Sequence, residues 1–272
     1  MKNLLIRSIT GITLVILILG GIYLGKYYFA LLFLIIMTIS LSEFFRFFKN
    51  SGIYPLTYSS KLIGGLFFIS TFLIASGIIS PLYYIIFPVF ILFIPGYELF
   101  RKSENNISNI ATSILGISYI VIPFCLSNYI VFKEGIYNSF PLILLFILIW
   151  TNDNGAYIAG MSIGKHKLFP RISPKKSWEG LFGGIILTII VSLVIMVPKQ
   201  NVSVINCIIL GIIVSVSSVF GDFAESMLKR NFKIKDSGRI IPGHGGFLDR
   251  FDSLLFAVPV YLCYIKLSGI GI

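Results

Sequence analysis

Nine apolar stretches of about twenty residues each leave this chain little choice of fold. They cover residues 8–25, 28–45, 62–80, 82–99, 110–132, 140–161, 180–197, 203–227 and 252–270. A backbone in hydrocarbon must satisfy its own N–H and C=O groups, which only helices and closed barrels achieve. The runs are too long for barrel strands and lack their alternation, so an all-α integral membrane protein with about nine transmembrane helices is expected. Composition agrees: only 12% of the residues are charged, against about 25% in a soluble domain.

The net charge of +11 is unevenly spread and orients the helices. With the N-terminus cytoplasmic, every Lys and Arg except Lys26, Lys133, Lys199 and Lys266 falls on the inner side, as the positive-inside rule requires. The basic start and first apolar run resemble a signal peptide but lack an A-x-A-like cleavage site, so a retained helix is expected. Cys125, Cys207 and Cys263 each lie in an apolar run and read as small core residues. No linker or internal repeat divides the chain, so residues 1–272 are expected to form a single polytopic membrane domain. Within it, 1–135 supplies mainly structural helices and 140–270 the catalytic helices and cytoplasmic loops. Glu43 and Glu98, near helix ends, are expected to reach headgroups or neighbouring Arg46 and Arg101.

The second half carries chemistry. Asp153, Asp222 and Glu225 lie within or at the ends of apolar segments, where an ionisable group costs several kcal/mol unless paired, hydrated or metal-bound. Around Asp153 the run WTNDNGAYIAGMSIG is too polar and glycine-rich to face lipid, so it should line a polar cavity or pack closely on a neighbour. The following loop, 164–180, places Ser173, Lys175, Lys176 and Ser177 before a helix that Ser177 is positioned to cap; such a terminus also favours an anion. A plain positive-inside loop resting on anionic lipid is the alternative.

Residues 226–252, SMLKRNFKIKDSGRIIPGHGGFLDRFD, form the least hydrophobic stretch of their length. Lys229, Arg230, Lys235, Arg239 and Arg250 supply cations for phosphate, and the turn through Gly245 and Gly246 supplies backbone N–H groups. His244 could bind pyrophosphate or move a proton, or simply hydrogen-bond backbone. Asp222 and Glu225 share a helix face, as do Asp249 and Asp252. Four carboxylates at two helix ends suit magnesium, with Asp222 and Asp249 the favoured ligands and Glu225 and Asp252 further candidates. Pairing with Arg230 and Arg250 is the alternative. No P-loop, H-E-x-x-H or G-x-S-x-G motif occurs.

The stretch 226–252 fits, without departure, the signature S-x-φ-K-R-x(4)-K-D-x-G-x(2)-φ-P-x-H-G-G-φ-x-D-R-φ-D, with φ apolar. On these residues the chain resembles the phosphatidate cytidylyltransferase (CDP-diglyceride synthase) family. The segment from Asp153 through SPKKSWEG is similar to that family's second conserved region, with Ser177 where many relatives have threonine. The resemblance implies a bacterial-type, multi-pass protein of the cell inner (plasma) membrane, with its active site at the cytoplasmic face. It implies CTP and phosphatidate as substrates, CDP-diacylglycerol and pyrophosphate as products, surrounding membrane lipids, a homodimer, and no nucleic acid. A divalent ion, Mg2+, would sit on Asp222 and Asp249, with a second cation left open. Catalysis would fall to Asp222, Asp249, Lys229, Arg230 and His244. Substrate would be held by Asp153, Ser173, Lys175, Lys176, Ser177, Lys235, Asp236, Arg239, Gly245, Gly246 and Arg250. Two other readings fit intramembrane acids: a transporter using Asp153, Asp222 and Glu225 as an ion path, and a CTP-dependent lipid kinase.

Overall fold

The computed structural model describes residues 2–49, 51–199, 202–238, 240–243 and 245–270. Each apolar stretch falls on helix. In chain order these are α1 (Lys2–Tyr23), α2 (Lys26–Lys49), α3 (Thr57–Ala75), α4 (Ile86–Glu98), α5 (Asn106–Gly116), α6 (Ile122–Val131), α7 (Phe140–Ile163), α8 (Trp178–Met196), α9 (Val204–Asn231) and α10 (Leu248–Leu267). A 3-10 turn, Pro81–Ile85, extends α4, and a π-turn, Ile117–Val121, joins α5 to α6. That π-turn ends just before Pro123, which has no N–H to continue the regular ladder. Seven helical stretches among the described residues are long and apolar enough to cross a membrane. The chain is thus a multi-pass helical membrane protein. Outside those seven, α1 is apolar over Ile9–Tyr23, the part whose side chains are described, and α10 carries Asp249, Arg250, Asp252 and Lys266.

The chain forms two compact units: Met1–Ser139 with Phe232–Arg250, and Phe140–Asn231 with Phe251–Ile272. The first unit is built on α2, whose Phe29, Phe33, Met37, Phe44 and Phe48 are buried at near-helical spacing. Phe33 meets Phe124 edge-on at 5.8 Å, the arrangement that ring quadrupoles favour. A short hairpin, β1 (Phe132–Lys133) with β2 (Ile136–Tyr137), turns through Glu134 and Gly135 at φ 52° and 81°. Positive φ at both turn residues matches the twist of a two-residue hairpin. The segment 232–250 belongs here because Phe232 seats against Phe48, ring centroids 4.6 Å apart, and Thr10 Oγ1 donates to the Pro242 carbonyl.

The second unit is a stack of α7, α8 and α9, joined by most of α10. Lipid tails are as apolar as leucine, so helices in a membrane associate through close packing and hydrogen bonds. Small residues of α7 (Gly155, Ala156, Ala159, Gly160) accordingly face Gly180, Gly183 and Gly184 of α8. A Cβ at Gly183 would lie 2.2 Å from that of Ala159. Gly221 of α9 lets α10 approach equally closely: its Cβ would come 2.4 Å from the Asp252 carbonyl oxygen. At the other end, the Tyr261 hydroxyl donates to the Pro141 carbonyl at 2.9 Å.

Candidate functional site

In the second unit the loop after α7 is a hairpin, β3 (Lys167–Phe169) with β4 (Ser173–Ser177). Four contacts tie it to α9. Lys176 pairs with the Asp222 carboxylate, and its ammonium lies 4.8 Å from the Phe223 ring centroid. Phe169 meets Phe223 edge-on at 5.0 Å, and Arg230 Nε donates to the Ile172 carbonyl at 3.4 Å. At its outer end His166 closes onto α8, with Nδ1 2.6 Å from Glu179 Oε1. Ser177 caps α8, its hydroxyl accepting from the Gly180 N–H at 3.2 Å, as its position in the sequence predicts.

Between this hairpin and α7, α8 and α9 opens a cavity of about 600 Å³. Asn152, Asp153, Lys167, Lys175, Lys176, Ser177 and Asp222 supply its polar wall; Tyr157, Met161 and Leu181 are among its apolar lining. A mainly apolar cavity with three lysines on its polar wall is suited to a ligand with an anionic head and an apolar body. The glycine-rich, polar run on α7 therefore does both things expected of it: one face packs on α8 and another lines a polar cavity.

Three carboxylates of this unit lie on α9 and α10. Glu225 is buried and pairs with Lys229 at 2.7 Å, four residues on. Asp222 stands against Lys176 and accepts from the Ser226 hydroxyl at 3.2 Å. Asp252 accepts from the Ser253 N–H and stands in the fields of Asp222 and Asp153, with Lys229 opposing. Lysines thus pair with two of these acids, Lys176 with Asp222 and Lys229 with Glu225.

In the first unit, the loop before α10 wraps two carboxylates. Asp249 Oδ2 accepts from the Ser237 N–H (2.9 Å), the Ser237 hydroxyl (2.9 Å) and the Gly246 N–H (2.8 Å). An acid in the first turn that reaches back to the amide three residues earlier closes the helix entrance like a capping box. Glu43 of α2, fully buried, accepts through Oε2 from the Leu248 N–H at 2.9 Å and the Ser237 hydroxyl at 3.3 Å. Glu43 was expected to reach headgroups or Arg46, and that expectation is overturned. Its carboxylate points inward because backbone and hydroxyl donors of the 237–248 loop replace water there. Glu98 is also buried, yet keeps its expected partner Arg101 at 3.5 Å while accepting from Asn109 at 2.7 Å.

Of the residues singled out in the sequence, Asp153, Lys175, Lys176, Ser177 and Asp222 share the cavity wall. Ser173 lies half-buried at the start of β4; Lys235, Asp236 and Arg250 are exposed in the first unit. Gly245 holds φ at 86°, and a Cβ there would sit 2.5 Å from Asp249 Oδ2. Arg239 and His244 lie outside the described residues. Asn152, Lys167 and Glu43 were not singled out as site residues. Glu43 carried a signal, an acid inside the aromatic run SLSEFFRFF, but its partners lie 194 and 205 residues away. As for a metal, the acids offer hard oxygen donors. Among the described residues no three His, Cys, Asp or Glu form an all-protein cage. One or two carboxylates completed by water and substrate oxygens are what magnesium accepts.

Fold and cavity together define a class: a multi-pass helical membrane protein with a cavity that lysines and aspartates line together. The sequence matches the profile of the Cytidylyltransferase family over residues 5–268, and the chain belongs to that family. It is 42% identical over 165 residues to the phosphatidate cytidylyltransferase of Staphylococcus saprophyticus subsp. saprophyticus. It is 40% identical over 167 residues to that of Staphylococcus aureus and 39% identical over 165 residues to that of Staphylococcus haemolyticus. Each alignment spans 60% of this chain and 62% of the relative's length.

Proposed function

We propose that the chain is a phosphatidate cytidylyltransferase, joining CTP and phosphatidate into CDP-diacylglycerol and pyrophosphate in phospholipid biosynthesis. The observation that carries this reading is the cavity beside β3–β4, where Lys167, Lys175 and Lys176 stand with Asp153 and Asp222 above an apolar wall. Family membership and the names of the relatives point the same way and weigh against a transporter.

In the reaction an oxygen of the lipid phosphate attacks the α-phosphorus of CTP, and the α–β phosphoanhydride bond breaks to release pyrophosphate. Phosphatidate is already ionised near neutral pH, so a strong base is not needed. Positioning and neutralisation of charge carry the rate. We assign Lys175, Lys176, Lys229, Arg230 and Arg239 to the phosphates, with Lys235, Arg250 and His244 available to the leaving pyrophosphate. Asp222 and Asp249 would hold magnesium, assigned on their places in the signature; Asp153, Glu225 and Asp252 remain candidates for orienting ligands or a second cation. Bound there, the ion supplies positive charge to phosphate oxygens. The protein would act at the cytoplasmic face of the bacterial inner membrane, with nine spans, the N-terminus inside, and as a homodimer. These last points rest on the charge pattern and the resemblance.

Purified protein with phosphatidate micelles, radiolabelled CTP and magnesium tests the reading. Label should enter the organic phase with stoichiometric pyrophosphate and should stop on adding EDTA. Label-free lipid from folded protein, across several divalent ions, would refute it; release of CDP would select the lipid kinase.

A further inference from the structure

Glu43 sits on a helix that the reaction does not otherwise use, yet it is the most enclosed carboxylate of its unit, with no exposed surface. Its Oε2 receives the Leu248 N–H and shares the single Ser237 hydroxyl proton with Asp249, whereas Oε1 is buried without a hydrogen-bond partner. The Ser237 hydroxyl lies between two carboxylates, 3.3 Å from Glu43 and 2.9 Å from Asp249. Two glycines of the signature leave room for this arrangement. A Cβ at Gly238 would come 2.4 Å from Glu43 Oε1, and one at Gly246 would come 2.5 Å from Oε2. A carboxylate without water is costly to keep, and this one has been given donors and space by a loop about two hundred residues away.

We propose that Glu43 is a positioning residue for Asp249. It pins the Ser237 hydroxyl and the start of α10, and these pin the turn whose donors converge on Asp249 Oδ2. Rigid support of this kind is what holds a ligating carboxylate in one orientation. The inference rests on the metal role assigned to Asp249 under the proposed function.

Glu43→Leu fills the same space without an acceptor, and Glu43→Gln keeps an oxygen in place of Oε2. The variants are reconstituted in nanodiscs, and amide hydrogen exchange over 236–249 is measured without metal, with α7–α9 as the folding reference. Glu43→Leu should speed exchange at Ser237 and Gly246, whose amides Glu43 does not touch, whereas Glu43→Gln should stay near wild type. In the labelled-CTP assay, Glu43→Leu should raise the Mg2+ concentration for half-maximal rate about tenfold, with KM for CTP changed less than twofold. If Glu43→Leu does not fold, Ser237→Ala cuts the same link and should shift both readouts in the same direction. Wild-type exchange and wild-type Mg2+ dependence in folded Glu43→Leu, or in Ser237→Ala where Glu43→Leu does not fold, would overturn the proposal. Faster exchange with unaltered Mg2+ dependence would also overturn it, leaving Glu43 a prop for the loop. A wild-type protein that makes no CDP-diacylglycerol refutes the proposed function instead, and the exchange measurement then decides alone whether Glu43 positions Asp249.

Discussion

Gly184→Ala puts one methyl group into the seam between α7 and α8, and its cost can be worked from the geometry. The new Cβ would lie 2.6 Å from Asn152 Oδ1 and 2.9 Å from the Asn152 carbonyl oxygen. The side-chain oxygen can swing away, but the carbonyl belongs to helix backbone. Reaching an unstrained separation of about 3.5 Å requires α7 and α8 to part by roughly 0.6 Å. Overpacking of that kind costs about 1–3 kcal/mol. Gly20 and Gly96, in contrast, have nothing within 4 Å of a built Cβ. There the same substitution removes only glycine's unfolded-state entropy and should stabilise by about 0.5–1 kcal/mol. Gly160, whose nearest neighbour is Ser177 Oγ at 3.5 Å, should tolerate alanine. Unfolding of the series in mixed micelles reads these differences directly. Because α7 carries Asp153 and Ser177 caps α8, Gly184→Ala should also lower turnover among molecules that remain folded. Gly184→Ala as stable as Gly20→Ala would refute the close-packed seam and the geometry of the cavity it walls.

Three further outcomes follow from contacts already described. Lys176→Met removes the cation facing Asp222 and should reduce kcat/KM on the order of 100-fold in the labelled-CTP assay, the loss typical of a donor to developing charge; near-normal turnover would remove Lys176 from the phosphate site. Ser177→Ala should lower stability by about 1 kcal/mol through loss of the α8 cap, while Ser177→Thr retains it, as thermal unfolding in detergent would show. Asp249→Ala should abolish turnover and also destabilise by at least about 2 kcal/mol, since three donors lose one carboxylate oxygen. Asp249→Asn should recover most of that stability without activity, and an active Asn variant would argue against a metal role.

What could be read in advance follows from how far apart the interacting residues lie. Lipid imposes its demand locally, residue by residue, so the apolar runs disclosed where helices lie, and Ser177 disclosed the cap of the helix it begins. The β3–β4 hairpin was hidden because its strands are short and cationic, without the apolar alternation by which a strand is read. Its partners on α9, Asp222 and Phe223, lie tens of residues away. Glu43 was legible as an oddity but not as a site, because nothing near it in sequence says what faces it. The signature glycines show the same limit from the other side. Glycine beside cations suggests backbone amides open to an anion, yet the Gly246 N–H serves Asp249, and Gly238, Gly245 and Gly246 are small because carboxylates press on them. A small residue in such a turn records that something lies against it. Here that something is Ser237 together with the acids Glu43 and Asp249, and Glu43 lies outside the signature, on a helix that hydropathy alone marks as structural.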